Sequence, residues 1–453
     1  MKVILPLLAV IALSLPAASL AADRPPSAPR FVGGVLSLEE ATQLTWENQP
    51  QVRQARATTA AARARADEAL APLLPQVSGL SYTYERTTSN FTPRPGYALS
   101  APSPYSWQMY NYFAFQGTLS QLIWDFGYTL NAWNAAKAKA KAQDESERYT
   151  DLQVLLTVRT AYFTARANKD LVRVAQETLA NQEAHLRQTE GFVAVGTQPE
   201  IALAQSRYNV ANARVQLITA QNNYVTAKAQ LNQAIGVETS TDYEVGNETF
   251  PPVPGEDEST AALLARAVKQ RPDLRSNEEQ IEAQRLTLSS VKGTFFPSLG
   301  VALNVTNAGI RADYTAWNWN VQATLNWTFQ GGLPIFQTHE QEANLDAQVA
   351  QTEVVRQQVR LDVEQARLAV VAAKATQDAA RDALTNAREL LRLAEGRYTV
   401  GIGNIIELSD AQVAATSAAA QLVQAEYTLA SARAQLLRAI GDLGPFESAV
   451  ASH

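Results

Sequence analysis

The 453-residue chain carries 44 acidic and 38 basic side chains, and its formal charge of -6 argues against a nucleic-acid binder. Apolar residues make up 46% of the sequence, but many of them are alanine, which buries little area, so a thick globular core is not expected. Cysteine is absent and histidine occurs three times, which excludes disulfides, thiolate zinc sites and cysteine nucleophiles. We find no nucleophile with a base, no phosphate loop and no cofactor fingerprint. The sequence therefore predicts a protein that is not an enzyme, with no catalytic, cofactor or metal site.

The first residues have the features of a signal peptide. Lys2 precedes an apolar run from Val3 to Leu15, and small residues follow, among which Ser19 and Ala21 fit the positions before a signal-peptidase cleavage site. We therefore expect a signal peptide at 1–21 and export of the chain. An uncleaved anchor helix is the alternative, although the apolar run is short for a membrane span.

Short matches at fixed offsets indicate an internal duplication. Pro50 and the residues after it recur at Pro272, an offset of 222 positions. Four further matches share an offset of 205: Ile123-Trp124-Asp125 with Thr328-Phe329-Gln330, Glu190-Gly191 with Glu395-Gly396, Val195-Gly196 with Val400-Gly401, and Ala234-Ile235-Gly236 with Ala439-Ile440-Gly441. Chance is a poor explanation for four matches at one offset. We predict a first repeat at 22–236, a second at 259–443 and a tail at 444–453.

Each predicted repeat contains a helix, two strands, a very long helix, a short turn and a long helix. The helices are predicted at Leu38–Leu70, Tyr128–Glu190, Glu200–Ile235, Thr260–Val291, Ile335–Glu395 and Ile405–Ile440. A helix of about 60 residues rises roughly 90 Å, several times the width of an ordinary domain. These helices cannot be packed into a globular domain.

The second very long helix has two apolar seams. One runs from Leu345 to Ala394 in alternating steps of four and three, the spacing that imposes a left-handed supercoil. The other lies on a different face and includes Leu368 and Leu390. Two seams need two neighbours, as in a closed ring of helices. The alternative is a two-stranded coiled coil in which the second stripe is solvated alanine.

Period-two alternation predicts four strands, in pairs at 76–122 and 297–330. The clearest run extends from Trp319 to Phe329, where apolar side chains alternate with Asn, Gln and Thr. This pattern suits strands with lipid on one side and a polar interior on the other. The predicted lipid-facing aromatic residues are Tyr82, Tyr84, Trp319, Trp327 and Phe329. A soluble sandwich sheet is the alternative.

Four strands cannot close a barrel, and an open sheet edge is costly in lipid because its unpaired backbone groups cost several kcal/mol each. A membrane sheet of this size must therefore be shared between chains. Strand arithmetic alone allows two chains or three.

A motif after the last very long helix is similar to one known family. It runs from Arg397 to Gly401 and continues from Asn404 to Gln412, with Phe192 to Gln205 as its first-half counterpart and Gln330-Gly331-Gly332 at a strand-to-helix junction. These residues resemble the TolC-type outer-membrane efflux duct family over positions 36–443. The resemblance implies a mainly α fold with a transmembrane β-barrel. In this fold a homotrimer shares a 12-stranded barrel that continues as a long coiled-coil helical barrel into the periplasm.

The resemblance also implies a function and partners. It implies a passive exit duct of a tripartite efflux or type I secretion system, surrounded by outer-membrane lipid and engaged by a periplasmic adaptor protein and an inner-membrane pump. A non-transporting coiled-coil scaffold of the envelope is the alternative. Residues 237–258 carry seven acidic and no basic side chains and are predicted to form an acidic equatorial linker, with a simple solvated connector as the other interpretation.

In the family, the gate lies at the turns between paired helices. Matching positions here are Gly196 and Pro199 in the first half, and Tyr398, Gly401 and Gly403 in the second, where both glycines would permit bending. The best-known members hold this gate with an arginine and an aspartate. This chain has Gly403 and Ala202 at those positions, so we expect the charged lock to be missing.

Glu407 and Asp410 are predicted to form the periplasmic aperture. They are three residues apart, so they share a helix face, and a trimer would stack them as two carboxylate rings that favour cations. The alternative is local: Asn404 caps the helix, Glu407 completes a capping box, and Asp410 complements the helix dipole.

Overall fold

A computed structural model describes residues 34–89, 91–92, 100–102, 108–238 and 241–443. The predicted signal peptide at 1–21 and tail at 444–453 lie outside the described residues, as does the start of the predicted first repeat. In the described part of the chain, no helix combines the length and apolar character needed to cross a membrane.

Eight α-helices dominate the described residues. They are α1 Leu38–Asn48, α2 Pro50–Leu70, α3 Tyr128–Ala194, α4 Glu200–Ile235, α5 Thr260–Gln270, α6 Pro272–Gly293, α7 Leu333–Thr399 and α8 Ile405–Ile440. Helices α3 and α7 each contain 67 residues. At 1.5 Å per residue, each rises about 100 Å. The predicted bounds of α4 and α8 are confirmed, and both very long helices extend to the turn that follows them.

Two predicted helices are each divided by a proline. The prediction of one helix at Leu38–Leu70 is wrong because Gln49 is extended, with ψ 118°, immediately before Pro50. The prediction of one helix at Thr260–Val291 fails in the same way at Arg271, with ψ 121°, before Pro272. The proline ring disfavours helical conformation in the preceding residue, so each chain segment turns and a second helix begins.

Eight strands are described. They are β1 Val35–Leu36, β2 Gln76–Ser89, β3 Phe91–Thr92, β4 Ser100–Pro102, β5 Gln108–Trp124, β6 Glu244–Val245, β7 Ser298–Arg311 and β8 Tyr314–Asn326. Strands β2, β5, β7 and β8 form one antiparallel sheet in the order β2-β5-β7-β8, so β2 and β8 are its edges. β1 pairs with β6, and β3 with β4, in two small sheets.

The four-stranded sheet has a mainly apolar face and a mainly polar face, and the polar face includes a small buried cluster of Tyr112, Ala114 and Ala308. Register places Val77, Leu119, Leu303 and Val321 in one row across the four strands. The neighbouring row on the opposite face is polar, and within it Thr118 Oγ1 donates a hydrogen bond to Asn304 Oδ1 at 2.9 Å. Directly opposed residues of adjacent strands point to the same side, so each of these two rows lies on one face of the sheet.

The predicted end of the last strand is wrong. Strand β8 ends at Asn326, so Trp327 and Phe329 follow the strand. The partner strand β7 begins at Ser298, which pairs with Asn326, and nothing remains beyond it to form a ladder. Instead, Trp327 donates its indole N–H to the carbonyl of Phe295 at 3.2 Å. The strand begins earlier than predicted, at Tyr314.

The chain divides into two compact units. One contains the described residues up to Pro50 together with those of Val158–Thr249 and Leu391–Val423, and the other contains the described residues of Gln51–Thr157 and Phe250–Leu390 and those from Gln424. The first unit includes the predicted gate turns and the whole of α4. The second includes the four-stranded sheet and the short helices α5 and α6.

Candidate functional site

The turn between α7 and α8 is closed by backbone hydrogen bonds. The amides of Ile402 and Gly403 both donate to the carbonyl of Arg397, at 3.1 and 2.9 Å. Gly401 has φ +81°, a conformation that side-chain-bearing residues rarely adopt. A Cβ on Gly403 would lie 2.8 Å from the amide nitrogen of Tyr398, so this position has no room for a side chain. Gly403 therefore serves close packing in the described turn.

The turn between α3 and α4 is built similarly. Gly196 has φ +77°, and its amide donates to the carbonyl of Val193 at 3.0 Å. Pro199 precedes α4 in an extended conformation, and its carbonyl accepts from the amide of Ala202 at 3.0 Å. Ala202 is buried. The two positions where the best-known family members carry a charged lock are thus a buried alanine and a glycine without space for a Cβ.

Tyr398 is the most enclosed of the predicted gate residues. It is 2% exposed, and its phenolic oxygen lies 3.3 Å from Thr189 Oγ1. The hydroxyl of Ser206 donates to the same Thr189 oxygen at 3.2 Å. One chain of three hydroxyl groups therefore joins the end of α7 to α3 and to the start of α4. Thr189 and Ser206 were not predicted, because an isolated hydroxyl on a helix has no distinguishing pattern.

An apolar cluster surrounds the hydroxyl chain. Ala394, Leu408 and Ala411 are buried against Tyr398, and Phe192 from α3 packs at the edge of the cluster. The rings of Phe192 and Tyr398 meet edge to face, with centroids 5.9 Å apart. Tyr398 thus joins the helix pair α7–α8 to the pair α3–α4 by packing as well as by its hydroxyl group.

The predicted aperture residues lie on the exposed side of α8. Glu407 and Asp410 are both exposed, and the Glu407 carboxylate lies 3.4 Å from Arg397 Nε. Asn404 caps α8, since its Oδ1 accepts from the amide of Ile406 at 3.1 Å. The capping role of Asn404 is therefore confirmed. Arg397 was not predicted as a partner of Glu407, although the two residues are only ten positions apart.

Farther along the helices from the turns, α3 contacts α8 through uncharged polar groups. Gln182 Nε2 donates to Gln412 Oε1 at 2.8 Å, and the hydroxyls of Thr178 and Thr416 lie 3.2 Å apart. Closer to the turns, His185 Nε2 on α3 lies 3.6 Å from Glu395 Oε1 on α7.

The acidic segment at 237–258 is anchored at its end. Glu256 has a side chain 5% exposed, and both its oxygens accept hydrogen bonds from Arg433 at 2.9 Å, while Lys374 Nζ lies at 2.8 Å. Burial raises the pKa of Glu256, but the hydrogen bonds from Arg433, Lys374 and the amide of Val253 outweigh it and bring the pKa to about 2. The interpretation as a simple solvated connector is therefore wrong for Glu256.

The aromatic residues of the sheet differ in position. Tyr82 and Trp319 lie on the apolar face of edge strands β2 and β8, where they are 67% and 70% exposed, and Tyr84 lies beside Phe113 with ring centroids 5.0 Å apart. Trp327 and Phe329 are exposed too, and just beyond the end of β8 their rings lie tilted against each other with centroids 4.8 Å apart.

Comparison with known proteins gives the family. The Outer membrane efflux protein family matches residues 41–237 and 263–442. The solvent efflux pump outer membrane protein SrpC of Pseudomonas putida is 25% identical over 325 residues, which cover 70% of this chain and 68% of that protein. The probable efflux pump outer membrane protein TtgC of the same species is 26% identical over 331 residues, covering 70% of this chain and 66% of that protein.

Solved structures share the fold. The CmeC outer membrane channel of Campylobacter jejuni has a TM-score of 0.75 at 19% identity, covering 92% of this chain and 88% of that one. The outer membrane protein VceC of Vibrio cholerae has a TM-score of 0.76 at 17% identity, covering 89% and 96%.

The chain belongs to the outer membrane efflux protein family. It is therefore a transport protein of the outer membrane and not an enzyme. The resemblance to TolC-type ducts is confirmed.

Proposed function

We propose that this protein is the exit duct of a tripartite efflux or type I secretion system. It acts as a passive conduit across the outer membrane, and an inner-membrane pump supplies the energy through a periplasmic adaptor protein. The family match supports this proposal, as do relatives whose names describe outer membrane proteins of efflux pumps. The cargo named for those relatives is not assigned to this chain.

The exposed sheet is the observation that carries the proposal. Every residue of β2 from Gln76 to Arg86 is exposed, and none of the thirteen residues of β8 is buried, so both faces of each edge strand lack a covering layer among the described residues. A sandwich would bury one face. A sheet with one apolar face, one polar face and two open edges suits a barrel completed by other chains, with the apolar face toward lipid.

Three chains complete this barrel. Four strands from each of three protomers give twelve, enough to leave a channel, whereas eight strands would be filled by their own side chains. In this trimer, Tyr82, Tyr84 and Trp319 face lipid. Trp327 and Phe329 form an aromatic layer just below the strands, at the interface with the periplasm.

An exposed heptad seam on α4 supports neighbouring helices in the trimer. Its large members, all exposed, follow steps that keep them on one side of the helix and are Ile201, Tyr208, Val215, Ile218 and Val225. Such a 4-3 pattern is the contact line of a supercoiled helix pair. A solvated seam of this length would be an unusual apolar stripe, so we place a second copy of the chain against it, within the long helical barrel that extends into the periplasm.

Corresponding contacts support the internal duplication. A Cβ on Gly236, after α4, would lie 2.7 Å from the Cα of Gln49, the residue before Pro50. In the second half, a Cβ on Gly441 would lie 2.9 Å from the Cα of Arg271, the residue before Pro272. We therefore retain the repeats at 22–236 and 259–443 and the equatorial linker at 237–258.

The gate of the proposed duct is the pair of turns. Gly196, Pro199, Gly401 and Gly403 shape the turns, and Tyr398 holds the second pair of helices against the first. Opening separates α7 and α8 from α3, which breaks the hydroxyl chain at Thr189. Glu407 and Asp410 line the aperture as two rings of three carboxylates, with Arg397 moderating the charge of the Glu407 ring.

A non-transporting envelope scaffold is the remaining alternative. It needs no sheet with an exposed aromatic face, so the exposure of Tyr82 and Trp319 favours the duct. Planar-bilayer recording of the purified full chain tests the proposal. We expect discrete conductance steps that disappear after heat denaturation; a protein that inserts no conducting unit at any concentration would contradict the duct.

A further inference from the structure

A cleft between α3, α4 and α8 has the chemistry of a binding site. Its volume is about 280 Å³, close to the lower end of ordinary ligand pockets. All its lining residues lie in the unit that contains the gate turns. The amide side chains that contribute are Gln182, Asn209, Asn212, Gln216 and Gln412, and hydroxyl side chains such as Thr416 complete the polar lining.

One buried group in this cleft lacks a partner. Gln412 is 6% exposed, and its Oε1 accepts the hydrogen bond from Gln182. Its Nε2 is buried and, among the described residues, has no hydrogen-bond acceptor. A buried donor without an acceptor costs about 1 to 3 kcal/mol, so a ligand that supplies an acceptor oxygen would recover this free energy.

The lining selects a chemical class of ligand. The described residues around the cleft are all uncharged, so an ion would lose its hydration without gaining a counter-charge. None of the same residues is aromatic, so a flat aromatic ligand finds no stacking partner. An amide side chain offers a hydrogen-bond donor and an acceptor side by side. Neighbouring hydroxyl groups of a ligand match this arrangement, because each hydroxyl group can both donate and accept a hydrogen bond.

We propose that this cleft binds a small uncharged polyhydroxylated molecule, of about monosaccharide size, with Gln412 Nε2 donating to one of its oxygens. The ligand would contact α8 on one side and α3 and α4 on the other. It would therefore stabilise the arrangement of these helices seen here over any arrangement that separates them.

The experiment uses the full chain in a detergent without a sugar headgroup, because a glycosidic detergent would compete for the cleft. D-glucose is the probe, and its binding is measured by saturation-transfer NMR and by calorimetry. We expect Gln412→Leu to weaken glucose binding about tenfold through the loss of one or two hydrogen bonds. Asn212→Leu, at an exposed position, should weaken it similarly and covers the case in which the Gln412 variant fails to fold.

Gln424→Leu is the matched control, since Gln424 is exposed on the same helix and does not line the cleft. It should bind glucose as the unmodified protein does. Glucuronate, which adds a carboxylate to the same ring, should bind at least tenfold more weakly than glucose. Absence of glucose binding, equal binding in Gln412→Leu and Gln424→Leu, or equal affinity for glucuronate would each overturn the proposal. The assay involves no transport, so its outcome is independent of the proposed duct.

Discussion

The phenolic oxygen of Tyr398 lies 3.3 Å from the hydroxyl of Thr189, and these two uncharged side chains join α7 to α3. Ser206 extends this contact to α4. The best-known family members use charged groups at this end. Here a buried alanine and a tightly packed glycine occupy the corresponding positions, so we infer that hydroxyl groups and aromatic packing hold the gate.

Removing the hydroxyl of Tyr398 should weaken the proposed gate. Tyr398→Phe keeps the ring against Phe192 but loses the contact with Thr189, at a cost of about 1 kcal/mol. We expect a higher open probability in planar bilayers, with little dependence on salt because no ion pair is lost. Tyr128→Phe, at an exposed position near the start of α3 and far along that helix from the turns, is the control. Equal open probabilities for the two variants would contradict the role of Tyr398.

Removing the carboxylates of α8 should change ion selectivity. The double variant Glu407→Ala and Asp410→Ala eliminates both proposed rings, so the preference for cations, measured as a reversal potential across a salt gradient, should fall. Glu353→Ala, at an exposed position of α7, controls for the loss of a carboxylate elsewhere. Unchanged selectivity in the double variant would leave only the local roles of these residues in capping and in the helix dipole.

Breaking the ion pair of Glu256 should destabilise the protein. Glu256→Gln leaves Arg433 and Lys374 without their buried carboxylate, which costs about 3 kcal/mol. The midpoint of thermal unfolding, followed by circular dichroism, should fall. Asp257→Asn is the matched control, because Asp257 contacts the same Lys374 with a side chain 80% exposed. Equal midpoints for the two variants would contradict the importance of burial.

The same carboxylate predicts a pH dependence. The pKa of Glu256 is lowered from 4.5 to about 2 in the folded chain, so its contribution is complete above about pH 4.5. That contribution is lost as the pH falls toward 2, because the unfolded chain then binds a proton that the folded chain does not. Between pH 5 and 2 the unfolding midpoint of the unmodified protein should fall more steeply than that of Glu256→Gln. Parallel curves would argue against this assignment.

Asp151 on α3 should behave in the opposite way. Burial, then repulsion from Glu147, raises its pKa to about 7, with Arg56 opposing the shift, and within the described chain its Oδ1 has no hydrogen-bond partner. The folded state therefore binds a proton that the unfolded state has released between about pH 4 and 7, and stability falls as the pH rises through this range.

Asp151→Asn removes this ionisation. We expect a higher unfolding midpoint than in the unmodified protein at pH 8, and a flatter dependence between pH 4 and 7. Asp144→Asn is the control, since Asp144 lies on the same helix in an exposed pair with Arg63. A lower midpoint for Asp151→Asn at pH 8 would show that the carboxylate is needed in its charged form.

The sequence predicted periodic features well. The bounds of α4 and α8 follow from uninterrupted helical composition, and alternation located all four long strands. It placed the end of β8 too late, because Trp327 and Phe329 continue the alternation although β7 offers no partner there. Local pattern cannot reveal where a ladder partner ends.

Contacts between distant residues could not be predicted. Thr189 and Tyr398 are 209 positions apart, and Glu256 and Arg433 are 177 apart, so neither pair has a local signal. Charge counting described the segment that contains Glu256 as acidic but could not identify its buried partners. Tyr398 was identified by resemblance, whereas the hydroxyl groups that it meets required the folded structure.

Electron microscopy of the purified mature protein tests the proposed duct most directly. We predict threefold particles with an axial channel, in which a barrel of twelve strands continues as a hollow helical rod. The rod should be at least about 100 Å long, because helices of 67 residues rise that far. Solid rods, or particles without an axial channel, would contradict the duct and would favour the envelope scaffold.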